Sequence, residues 1–84
     1  MPNHTHRQPH PLRHRVARRV RELREARAWS QGDLAERSGL HRTHVSLIER
    51  SRCDVGLDSL ASLADAFDVP ATHLLLDAHG TLLR

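Results

Sequence analysis

Apolar residues recur with a helical period along most of this chain. Leu12, Val16, Val20 and Leu23 lie three or four residues apart and Arg27 continues their stripe as a polar rim, which predicts a first helix from Pro11-Leu12 to about Ala28. Ser30 then reads as an N-cap, with Asp33 three residues on to complete a weak capping box and Trp29 placed to staple onto Leu34. Gly39 follows Ser38 where this second helix must end in a left-handed residue. A third helix restarts at His41-Arg42, turning Val45 and Ile48 inward and leaving Arg42, Thr43, Ser46 and Leu47 on the other side. After a loop from about Arg50 to Gly56, Leu57, Leu60, Leu63, Ala64 and Phe67 trace a fourth helix, for which Gly56 is a weak N-cap. Pro70 suits the first turn of a fifth, with Leu74 and Leu75 packing inward. No structure is read for Asp77 to Arg84.

Two short helices around a glycine turn, SQGDLAERSGLHRTHVSLIE from Ser30 to Glu49, are the sequence form of a helix-turn-helix, whose second helix lays its outward face into a major groove. The segment from about Val16 to Leu76 resembles the phage repressor/Cro-type (Xre-like) DNA-binding domain. The residues that carry the likeness are LREARAWSQGDLAERSGLHRTHVSLIER and VGLDSLASLADAFDVPATHLL, spread over roughly three-quarters of the chain. The resemblance implies an all-α, lambda-repressor-like fold, a compact bundle of about five short helices. It also implies a sequence-specific transcriptional regulator that binds double-stranded DNA as a homodimer. On this reading residues 1–11 are a flexible basic, His-rich arm, residues 12–76 the helix-turn-helix domain and residues 77–84 a C-terminal tail.

Eighty-four residues make one small domain, and a chain of this size buries only about 60% of its unfolded surface. With one Phe, one Trp and no Tyr, its core must be aliphatic. The net charge of +3 is unevenly spread. Residues 1–27 hold eight arginines against two acids, residues 28–56 four against four, and residues 57–84 one against four. A basic first third is the footprint of a phosphate partner, and an acidic far end keeps the other side off the DNA. Four of these arginines, Arg13, Arg15, Arg18 and Arg19, crowd the first turns of the first helix, the wrong sign for the positive end of its dipole. They read as a phosphate-proximal cluster, with the alternative of a solvated face on which Glu22 and Glu25 pair with Arg18 and Arg21.

Cys53 is the only cysteine, so neither an intrachain disulfide nor a Cys-rich zinc site can form, and a reducing cytoplasm fits. No apolar run approaches the ~20 residues of a membrane span, and the start of the chain lacks the apolar stretch of a secretion signal. An Arg-rich, acid-poor start is shared with organelle transit peptides, but His, Pro and Asn dominate its first eleven residues.

The resemblance places Gln31 against a DNA phosphate; by position alone it is an exposed helix-starting glutamine. Arg42 and Thr43 open the third helix within reach of base edges, where Arg can hold guanine O6 and N7 and Thr can bond a base or touch a thymine methyl. Ser46 does the same over a shorter reach. Leu47 stands where the family often has a long polar side chain, so it either touches a thymine methyl or stays idle. Arg50 and Arg52, in the loop that normally faces the backbone, are assigned to phosphates, a contact that Asp54 weakens where many relatives carry Asn. His41, in the N-cap region, and His44, where relatives often pack an aromatic, can each meet a phosphate. In the family pattern an arginine of the first helix reaches a glutamate near the end of the recognition helix. Arg24 and Glu49 match those positions and are read as a structural ion pair. Val69, Leu76, Leu82 and Leu83 exceed what one small core needs and are expected at a two-fold dimer interface.

The histidines at 4, 6, 10 and 14 have no Cys or acid among them and are irregularly spaced, so no metal site is assigned, and no cofactor is implied. Cys53 beside Arg52 lacks a positioned base, so no enzyme is expected. The alternative function is an antitoxin-like module that binds DNA and also grips a toxin protein through its acidic half. RNA polymerase is a further partner open to a regulator of this kind.

Overall fold

A computed structural model describes residues 10–76 as four α-helices and one 3-10 turn. These are α1 (Pro11–Ala26), α2 (Gln31–Ser38), α3 (Arg42–Glu49), α4 (Leu57–Phe67) and the turn Ala71–Leu74. Residues 1–9 and 77–84, and with them the arm, the tail, Leu82 and Leu83, lie outside the described residues. The described residues form an all-α fold, as the family resemblance implies. The fifth helix is the exception: it is a single 3-10 turn capped by Pro70, and of its leucines only Leu74 is fully buried.

Local chemistry sets the starts. Pro11 occupies the first turn of α1, where its missing N–H is no loss, and the His10 ring nitrogen accepts from Leu12 N at 3.0 Å. In α2 the capping box is complete: Ser30 Oγ accepts from Asp33 N at 2.9 Å, and Asp33 accepts from Ser30 N at 2.8 Å. The Ser30 backbone N–H, and after it the Ser30 hydroxyl, hold the Asp33 carboxyl below its ordinary 3.8.

The ends are less orthodox. Gly39 closes α2 at φ +78, but α1, α3 and α4 end on Ala28, Ser51 and Asp68, all left-handed without being glycine. Each makes the same pair of bonds. Ala28 N donates to Glu25 O and Trp29 N to Arg24 O, and Ser51, Arg52, Asp68 and Val69 repeat the pattern after α3 and α4. This is why α1 stops at Ala26 rather than near Ala28.

Val16, Val20, Leu34, Val45, Ile48, Leu63, Phe67 and Leu74 are buried in one core, and Leu23, Trp29, Leu40, Cys53, Val55 and Val69 pack against it. Trp29 stacks on Phe67 at 5.7 Å between ring centroids, and the Arg27 guanidinium lies over both rings. Leu57 departs from its stripe. It is the first residue of α4 and 83% exposed, at the rim of an apolar groove lined by Leu12, Val16, Leu60 and Leu75.

Candidate nucleic-acid interface

α3 is held by its inner face. Val45 and Ile48 are fully buried, while Arg42 and Thr43 are exposed and Ser46, Leu47 and His44 are half-buried. Gln31, Arg42, Thr43, Ser46 and Arg50 line one open surface groove. Four of those side chains come from α3 and its end, and Gln31 from the start of α2. His41 is the N-cap of α3 but makes no side-chain capping bond, and it is exposed.

Glu49 locks the angle of α3. Its carboxylate is buried and accepts a two-pronged grip from Arg24, Nε at 2.7 Å and Nη2 at 2.9 Å. The same guanidinium donates through Nη1 to Trp29 O at 2.8 Å, so one side chain ties α1 to the turn before α2 and to the end of α3. Those bonds to Glu49, more than its charge, hold the Arg24 guanidinium above the ordinary arginine range. Gln31 adds a third bond, Nε2 to Glu49 Oε1 at 3.1 Å. Its amide nitrogen is therefore engaged inside the protein, a role that position alone does not suggest.

Arg50 and Arg52 are exposed just beyond α3. Asp54 is turned away from them: its carboxylate pairs with Arg13 of α1. The crowded arginines of α1 separate in a way the sequence does not reveal. Glu22 takes Arg19 rather than Arg18, and Arg21 donates to Glu49 O at 3.2 Å rather than pairing with Glu25. Arg19 also donates to His73 O at 3.0 Å, on the far side of α1. His10 caps a helix and His14 is exposed. Among the described residues no three His, Cys, Asp or Glu side chains gather as a metal site, and no helix is long and apolar enough to cross a membrane.

A model of a helix-turn-helix domain matches residues 15–76. The chain belongs to the Xre-type helix-turn-helix family of DNA-binding transcriptional regulators. It is 42% identical over 65 residues to a hypothetical transcription factor of Neisseria meningitidis, covering 77% of this chain and 61% of that protein. It is also 42% identical over 60 residues to control protein C.SmaI of Serratia marcescens, covering 71% of each. The crystal structure of the restriction-modification controller protein C.AhdI from Aeromonas hydrophila superposes with a TM-score of 0.73 at 37% identity, over 77% of this chain and 98% of that one. The chain thus spans about three-fifths of the Neisseria factor and more of the two control proteins. Within a helix-turn-helix domain, α2 and α3 are the pair that gives the family its name.

Proposed function

We propose that this helix-turn-helix protein is a sequence-specific transcriptional regulator that binds a palindromic operator as a homodimer in the cytoplasm. The observation that carries the reading is the convergence of Gln31, Arg42, Thr43, Ser46 and Arg50 on one groove beside a helix whose other face is locked to the core. Arg42, Thr43, Ser46 and Leu47 read base edges; Arg50 and Arg52, with Gln31, His41 and His44 at the margins, meet phosphates. An eight-residue α3 spans only a few base pairs, so useful specificity requires two copies about one helical turn, ~34 Å, apart. Leu57 and the apolar groove beside it, which reaches Leu75, are the surface a second copy covers, with the half-buried Leu76 next in the chain; Val69 packs against the core, and Leu82 and Leu83 lie outside the described residues. The likeness to two control proteins supports regulation rather than catalysis.

Selection of bound sites from random duplex DNA tests the proposal. A two-fold symmetric consensus with half-sites one turn apart is the expected result, and enrichment of no sequence would sink base reading. The antitoxin alternative draws on the acidic C-terminal half, where residues 57–84 hold one arginine against four acids. A stable complex with the product of an adjacent toxin gene would favour it over a plain regulator.

A further inference from the structure

α1 presents a cationic stripe to the end of the recognition helix. His14, Arg18 and Arg21 stand four and three residues apart, so they share one helix face. With Arg50 and Arg52 they line an open groove, in which the buried Ala17 forms part of the wall. Glu49 borders this groove but offers it no free carboxylate, since Arg24 and Gln31 occupy both oxygens. The side chains of Arg18 and Arg52 have no hydrogen-bond or ion-pair partner among the described residues. Four guanidinium groups gathered in this way repel one another, and fold stability alone does not call for them. Arg13 and Arg19, by contrast, are paired with Asp54 and Glu22 on other faces of α1.

Arg50 lines both this groove and the one beside Arg42, Thr43 and Ser46, so the cationic surface runs unbroken from the recognition helix onto α1. Arg21 is already anchored through Nη1 to Glu49 O, which holds its planar fork in place before any anion arrives. We infer that His14, Arg18 and Arg21 form a second phosphodiester seat, taking the DNA backbone next to the phosphate met by Arg50 and Arg52. This rests on the DNA-binding reading above and extends the interface beyond the two helices of the motif. The contact is to phosphate oxygen, so it adds affinity without base preference.

The test compares full-length wild type with Arg18→Ala and Arg19→Ala on the selected operator and on random duplex, from 50 to 200 mM KCl. Both variants lose one positive charge from the same helix, but only Arg18 faces the groove. For Arg18→Ala the slope of log affinity against log salt becomes shallower by about 0.9, equally on both DNAs. The advantage of wild type over this variant therefore shrinks by roughly threefold across that salt range. Arg19→Ala keeps the wild-type slope, and Arg18→Lys restores most of it. Thermal melts of each variant separate these effects from misfolding. A wild-type slope for Arg18→Ala, alongside a shallower one for Arg52→Ala, would overturn the α1 seat and leave the DNA-binding reading intact. A wild type with no salt dependence would overturn both. Pyrophosphate titrated into DNA-free protein covers the other source of phosphate: micromolar binding that Arg18→Ala abolishes, with its DNA slope unchanged, would reassign the groove to a small free anion.

Discussion

Arg24 holds three acceptors at once, two on Glu49 and one on Trp29, and its side chain is 13% exposed beside a Glu49 side chain at 3%. Glu49→Ala strands that guanidinium, and Arg24→Ala strands a buried carboxylate. Each is expected to destabilise the fold by about 3–5 kcal/mol, and the double variant by less than the sum, measured by urea unfolding. Additive losses would mean the two side chains do not act as a pair. On the opposite side of α3 the expected effects concern binding rather than folding. Arg42→Ala loses roughly 1–3 kcal/mol on the operator and relaxes one base position in each half-site, while Arg52→Ala weakens operator and random DNA alike. Equal losses from both variants on both DNAs would remove α3 as the reading element. The types of these residues are legible in the sequence. The engagement of Gln31 by Glu49 is not, because the two side chains are 18 positions apart and meet only when α2 packs on α3.

At the level of elements, helix starts are written in local residues and helix ends are not. The Ser30–Asp33 box can be read directly, since all its atoms lie within four residues. The same box makes a pH prediction. Asp33 titrates below its ordinary 3.8 in the folded state, so its contribution is present above that value and is lost as pH falls through the lower folded value. Wild type should lose melting temperature over that acid window, and Asp33→Asn should show a flatter acid limb. An identical acid limb in the two proteins would mean the box does not couple to folding. Ala28, Ser51 and Asp68 are left-handed without the glycine that would announce them. At Ala28 the reason is tertiary: Trp29 is drawn onto Phe67 and its carbonyl onto Arg24, which forces the chain to turn there. Ser51 adds a buried hydroxyl that lacks a partner among the described residues. Ser51→Gly should therefore stabilise the protein by about 0.5–1 kcal/mol, a rise of several degrees in Tm. An unchanged or lowered Tm would show that no strain is held at this helix end.

For the whole molecule, the question is how many copies act together. Leu57 is 83% exposed beside a groove of Leu12, Val16, Leu60 and Leu75, and Leu76 is half-buried close by in sequence. Replacing Leu57 and Leu76 with Asp should yield a folded monomer that no longer protects two half-sites, as sedimentation and footprinting would report. A wild-type chain that sediments as a monomer at micromolar concentration and protects a single half-site would contradict the dimer. The sequence by itself determined the helical class, the helix-turn-helix and the division between the inner and outer faces of α3, because each depends on spacing within one or two turns. Only the tertiary structure decided that the fifth helix shrinks to a 3-10 turn, that Leu57 stands outside the core, and that Arg13 and Arg19 find acids while Arg18 meets none among the described residues. Those outcomes depend on where α1 meets α3, the loop after it and the final turn, and contacts between distant segments leave no period in the chain.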